Sequence, residues 1–190
     1  MRPERTRSWE TGAELRFFDD RVSFDGSYYN KLTSDQIIPA QITPTIGFTS
    51  AVVNAGSLRN SGIEGQLNVT PIKRGSFQWD VTANYARNRS EVVSLYKGLQ
   101  AIVLGTYWGL NVEARQNQPY GTLYGNPYLR DSQGRLITLN GLPQIDPTQR
   151  VLGHYSPDWI GGLQNKFHYG HWDFSFLFDT KQGGQIFSTT

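Results

Sequence analysis

The side chains with the most obvious chemical reach are His154, His168 and His171, the only histidines of the chain. Imidazoles ligate metals or relay protons, but a metal site needs further donors at ligand spacing, and no Glu or Asp is read beside these three. They are expected to be surface or lumen residues, and no metal is expected. The chain has no cysteine, so thiolate sites, cysteine nucleophiles and disulfides are excluded. Serines are plentiful, yet none stands in a Gly-x-Ser-x-Gly elbow, and no catalytic residue or cofactor is expected. Asp131-Ser132-Gln133-Gly134 is similar to the start of a calcium loop. Arg135 at the fifth position and the lack of a distal Glu make it a hairpin turn instead. Asn68-Val69-Thr70 and Asn88-Arg89-Ser90 match the glycosylation sequon and receive no role. Gly161-Gly162 and Gly183-Gly184 are isolated pairs, not a phosphate cradle.

Ring-bearing residues make the richer candidate. Between Asn88 and Pro157 lie Tyr107, Trp108, Tyr120, Tyr124 and Tyr128, with Arg115, Asn117 and Asn126 among them. Such rings stack on sugars or pack against a covering partner while the amides and guanidinium supply hydrogen bonds. The other reading is that they fold a long connection onto itself, since a segment of this length must bury something to stay ordered.

The elements that must position these residues are read from period-two alternation. In residues 77–87, Phe77, Trp79, Val81, Ala83 and Tyr85 fall on one face and Gln78, Asp80, Thr82, Asn84 and Ala86 on the other, which only a strand achieves. The same pattern predicts strands over about 8–18, 21–31, 60–70, 159–169 and 172–180. Short turns join these strands in pairs, at Asp19-Asp20, over 71–76 and near Gly170. Long connections, about 32–59 and 88–157, separate the pairs. Outer-membrane barrels alternate short periplasmic turns with long extracellular loops in this way.

If the sheet lies in lipid, the apolar set faces acyl chains: Leu15, Phe17, Phe24, Leu67, Val69, Trp79, Val81, Leu163, Phe167, Phe174 and Phe176. The polar set, including Glu64, Asp80 and Lys166, then faces a wet lumen. Trp9, Trp79, Tyr85, Trp159, Tyr169 and Trp172 would mark the two interfaces. Periodicity alone leaves open a soluble β-sandwich that binds carbohydrate, because its inner faces use the same pleat. The net charge of +2, with no run of like charges, argues against nucleic acid as a partner. No apolar run approaches the length of a spanning helix, and the first residues carry no secretory signal.

Short words along the chain carry a resemblance. Pro3-Glu4-Arg5-Thr6, Tyr28-Tyr29-Asn30-Lys31, Val53-Asn54-Ala55-Gly56 and Asn60-Ser61-Gly62-Ile63-Glu64 follow in order. Asn88-Arg89-Ser90 with Val92-Val93-Ser94-Leu95, Glu113-Ala114-Arg115, Pro119-Tyr120-Gly121, Pro157-Asp158-Trp159 and Gln182-Gly183-Gly184 complete the set. Together they resemble the C-terminal barrel region of SusC/RagA-type TonB-dependent outer-membrane receptors. The resemblance implies an antiparallel up-and-down transmembrane barrel of about 22 strands around a plug, of which this chain supplies about six strands. It also implies a Gram-negative outer membrane, import of oligosaccharides or peptides, a SusD-like surface lipoprotein as a lid and a TonB complex as the motor. With no plug, TonB box or terminal aromatic strand in the sequence, the chain is expected to be a fragment that does not transport alone.

Overall fold

The computed structural model describes residues 2–41, 50–96 and 98–188. Every regular element among them is a strand. In chain order these are β1 (Arg5–Phe17), β2 (Val22–Gln41), β3 (Ser50–Arg74), β4 (Phe77–Leu95), β5 (Ala101–Tyr107) and β6 (Leu110–Arg115). Then come β7 (Thr122–Gly125), β8 (Thr138–Leu139), β9 (Leu142–Pro143), β10 (Arg150–His154), β11 (Trp159–Tyr169) and β12 (Trp172–Gln182).

The wall is a six-stranded antiparallel sheet in the order β1-β2-β3-β4-β11-β12. Its register fixes the faces, because directly paired residues share one side of the pleat. One row runs Leu15, Phe24, Leu67, Ala83, Leu163, Phe178, and the next runs Phe17, Val22, Val69, Val81, Asn165, Phe176. The other face carries the row Glu14, Asp25, Gln66, Asn84, Gly162, Asp179. A slip of one residue would turn every ring into the polar face, so this pattern selects the register.

The turns are tight. Phe18, Asp19 and Asp20 take left-handed φ of 58, 52 and 62°, and Arg21 N–H donates to Phe18 O at 3.2 Å. The turn expected over 71–76 contracts to Gly75 and Ser76, with Gly75 at φ 58°. Pro71, which cannot donate to a ladder, falls instead where the β3–β4 register shifts between Val69 and Ile72, a place a strand proline tolerates.

The expected loop 32–59 is corrected. β2 and β3 stay paired from Thr33 and Leu58 out to Gln41 and Ser50, across irregularities near Asp35, whose φ is 56°. Alternation fades there, but the ladder needs only backbone N–H and C=O groups, which do not depend on side-chain alternation. Residues 42–49 of that loop lie outside the described residues, as do Thr189 and Thr190. β4 likewise continues to Leu95. The segment 88–157 is no bare loop, since it holds β5 to β10, with β10-β7-β6-β5 forming a four-stranded sheet and β8-β9 a hairpin.

The small core sits where this inserted sheet meets the wall. Val92, Ile102 and Ala114 are buried together, with Leu58, Leu95, Leu104 and Tyr120 packed around them. Thr6, Thr33, Leu58 and Val92 form a row of the polar-face parity, so the inserted sheet docks on that side. On the opposite side, among the described residues, the rings stay uncovered: Trp172 is 79% exposed and Phe178 65%. The packed-sandwich alternative needs a second sheet on those rings, and none lies there among the described residues. The architecture is all-β and antiparallel, but the sheet is open, with β1 and β12 as edges, and closure into a barrel is not contained in it.

Candidate functional site

Two surfaces qualify: the two-faced wall and the polar face of the inserted sheet. On the wall's apolar side, Trp79 stacks on Phe167 with ring centroids 5.6 Å apart, and Phe167 in turn meets Phe174 and Phe176 at 6.3 and 6.2 Å. Trp79 lies one row in from the turns, not at the strand end. Its indole N–H donates to Asn165 Oδ1 at 3.2 Å, which gives both polar groups a partner within the apolar face. Nearer the long connections, Trp9 meets Tyr28 at 5.1 Å and Tyr85 meets Trp159 at 5.7 Å. Tyr169 and Trp172 flank the opposite end and are both exposed.

The inserted sheet is positioned by side chains that hold its strands together. Thr106 and Asn111 are directly paired across the β5–β6 hairpin, and β6 places Asn111, Glu113 and Arg115 on the face opposite Val112 and Ala114. Thr106 Oγ1 donates to Asn111 Oδ1 at 2.9 Å, and Asn111 Nδ2 to Glu113 Oε1 at 3.3 Å. Arg115 Nε donates to Glu113 Oε2 at 3.1 Å while its guanidinium lies 4.2 Å over the Tyr124 ring. Glu113 is only 4% exposed, and a carboxylate so placed is tolerated because Asn111 and Arg115 satisfy it. The result is a preorganised strip of donors, acceptors and one ring face.

Trp108 is the other notable group. It occupies the β5–β6 turn with φ 41°, next to Gly109 at 86°, and is 83% exposed. A bulky side chain in the left-handed region costs free energy, and here no burial of the ring offsets that cost.

The sequence-predicted residues divide accordingly. Arg115 and Tyr124 are brought together in the strip, and Tyr107, Trp108 and Tyr128 are exposed rings. Tyr120 is packed against the core, and burial first, then the neighbouring Tyr155, pushes its hydroxyl pKa up. Asn117, at φ 59°, donates its N–H to Val92 O at 2.8 Å and shapes a turn. Asn126 Nδ2 donates to Asp146 O at 2.8 Å and ties the base of the β8–β9 arm. Thr106, Asn111 and Glu113 were missed by the sequence reading. Their signal was a strand-like alternation of only three polar positions.

The histidine expectation is also corrected. His154 Nε2 lies 3.5 Å from Asp158 and His168 Nδ1 lies 3.0 Å from Asp173, so carboxylates do stand beside them. Each pair lacks a third donor, and no cluster of three metal-ligating side chains occurs among the described residues. Asp131 holds a turn: its Oδ1 accepts the N–H of Gln133 and of Arg135 at 2.9 Å each, and its Oδ2 accepts Arg135 Nε at 2.8 Å. Those donors, the Arg135 backbone first and its side chain next, hold the carboxyl below its ordinary range.

Comparison with known proteins places this geometry. The model of the TonB dependent receptor-like, beta-barrel family matches residues 1–186. TonB-dependent receptor P3 of Formosa agariphila is 25% identical over 211 residues, covering 98% of this chain and 21% of that protein. TonB-dependent receptor SusC of Bacteroides thetaiotaomicron is 26% identical over 189 residues, covering 91% of this chain and 19% of its own length. The solved RagAB peptide transporter superposes with a TM-score of 0.74 at 19% identity, over 93% of this chain and 21% of that one. The chain thus spans about a fifth of the length of these relatives, which are named as receptors and transporters rather than enzymes. From the two-faced antiparallel wall and the match along nearly its whole length, this chain belongs to the TonB dependent receptor-like, beta-barrel family of the Gram-negative outer membrane.

Proposed function

We propose that the six strands are a sector of the wall of a larger closed barrel, and that the inserted sheet is an extracellular loop of a TonB-dependent importer. The observation that carries this reading is the height of the apolar face. From the Phe77 row to the Tyr85 row the strand advances eight residues, and at ~3.4 Å per residue and a tilt of ~40° that is roughly 21 Å, most of the ~25 Å apolar band of outer-membrane barrels. Aromatic rings flank both ends of that band. The lipid-facing residues are then Leu15, Phe17, Phe24, Leu67, Val69, Trp79, Val81, Leu163, Phe167, Phe174 and Phe176.

An open sheet in hydrocarbon would leave unpaired backbone groups along β1 and β12, each costing several kcal/mol, so further strands must complete the ring. The remainder of the barrel and its plug, the outer-membrane lipid, a SusD-like lid and a TonB complex are the partners this reading requires. Because the inserted sheet docks on the wet side of the wall, its strip from Thr106 to Tyr124 and the Trp108 ring face the space a ligand crosses. The ligand class is an oligosaccharide or a peptide, since both offer hydroxyl or amide groups to the strip and flat faces to a ring.

The test is binding by the complete receptor of labelled oligosaccharides and labelled peptides, with the variants Trp108→Ala and Arg115→Gln. Loss of about fivefold or more in affinity with normal membrane assembly is the expected result. Unchanged affinity in both variants would remove the strip and the ring from the ligand path.

A further inference from the structure

Charges on the wall are sorted by face in a way that hydrocarbon contact alone does not require. On the lipid-side parity, Arg7 and Arg59 share one row with Glu91, Arg89 shares the next with Trp9, and Arg87 shares the next with Tyr28. All four lie at the long-connection end of the strands, Arg87 and Arg89 level with the Trp9–Tyr28 pair and Arg7 and Arg59 one row beyond it. The wall lysines Lys31, Lys73, Lys166 and Lys181 all have the opposite parity, as do the carboxylates Glu10, Glu14, Asp25, Glu64, Asp80 and Asp179. Glu91, 4.0 Å from Arg59, is the one carboxylate of this outward patch. Arg7, Arg87 and Arg89 form no ion pair among the described residues, and all three are exposed.

Just below the patch the apolar face is dented. Ala13, Gly26 and Gly65 form one row without bulky side chains, and Phe24 folds its ring over Gly26, where a Cβ would lie 2.7 Å from it. The dent is a trough of about 560 Å³ bounded by Phe24, Tyr28, Ile63, Leu67 and Tyr85. A guanidinium row directly above an apolar trough matches a ligand that is anionic at one end and hydrocarbon at the other.

We infer that this surface is a site for a phosphorylated, multiply acylated glycolipid of the outer leaflet, the lipopolysaccharide class, with Arg59, Arg87 and Arg89 on its phosphates and an acyl chain in the trough. The inference rests on the wall reading above. Arginine is the residue for this task, since its planar fork meets two phosphate oxygens at once and it is less strongly hydrated than lysine. Arg87 and Arg89 are one pleat repeat apart, ~7 Å, and Arg59 is diagonal to Arg89 at a similar ~7–8 Å, so neighbouring phosphate oxygens can be gripped by more than one fork. The patch lies at the extracellular end because short turns mark the periplasmic one.

The test uses the complete receptor in vesicles and detergent, with lipopolysaccharide, its phosphatase-treated form and phosphatidylglycerol as probes, and bound lipid counted by native mass spectrometry. The double variant Arg87→Gln/Arg89→Gln is expected to retain at least about tenfold less lipopolysaccharide, whereas Lys31→Gln, at the same height on the other face, retains it fully. The phosphatase-treated form and phosphatidylglycerol are expected to bind weakly to the unaltered receptor. Equal retention by the double variant, equal loss in Lys31→Gln, or equal binding of either control lipid would overturn the site. A fluorophore at position 81, quenched by brominated acyl chains in the same vesicles, reports the wall separately. Quenching with failed glycolipid binding rejects only the site, and absent quenching rejects the wall.

Discussion

At the scale of single residues, the face a side chain occupies decides what a substitution costs. Val81 pairs with Val69 and Asn165 in the middle of the apolar face, and Asn84 pairs with Gln66 and Gly162 on the other. Val81→Arg should destabilise the receptor folded in lipid vesicles by about 2–4 kcal/mol, and Asn84→Arg should leave its stability near the starting value. Denaturant titration of the complete receptor measures both. In the inserted sheet, Glu113→Gln removes the charge that Arg115 pairs with. Arg115 is 25% exposed, which screens the pair, so the loss is about 1–2 kcal/mol, toward the low end of what charged hydrogen bonds contribute. Hydrogen exchange of the β6 and β7 amides reads it, and protection equal to the unaltered protein would mean the pair does not hold the sheet.

At the scale of elements, the wall strands were legible in the sequence and the inserted sheet was not, for one physical reason. If the wall divides lipid from water as proposed, strands such as β4 and β12 must alternate, because their two faces then meet opposite chemistry. β6 is only six residues long, and its polar face reads Asn111, Glu113, Arg115, too brief to be told from a loop. The β8–β9 hairpin did carry a signal: Asn140 and Gly141, at φ 52 and 79°, are the residues a two-residue turn of this hand requires. Linear spacing also hid the His168–Asp173 contact, because those residues are directly paired across the β11–β12 hairpin.

The Asp131 turn belongs to this scale too. Its carboxyl pKa is depressed in the fold, so its contribution is present above the ordinary value of 3.8 and is lost as pH falls through the lowered folded value. Exchange of the Gln133 and Arg135 amides, corrected for intrinsic rate, should therefore stay slow down to about pH 4 and accelerate below it. In Asp131→Asn the same amides should exchange faster at neutral pH, with that acid step gone.

At the scale of the whole molecule, the proposed importer depends on a sheet that divides hydrocarbon from water. The sheet's two free edges, its uncovered rings and the insertion on its polar side all fit that setting. The absence of cysteine from the chain makes a direct reading practical, since each introduced thiol in it is unique. Single cysteines placed in turn at positions 78 to 85 of β4 in the complete receptor, labelled with a small fluorophore and reconstituted, are exposed to brominated lipid and to a water-borne quencher. Positions 79, 81, 83 and 85 should be quenched by the lipid and 78, 80, 82 and 84 by the aqueous reagent. A flat profile, or one with those two sets exchanged, would contradict the account.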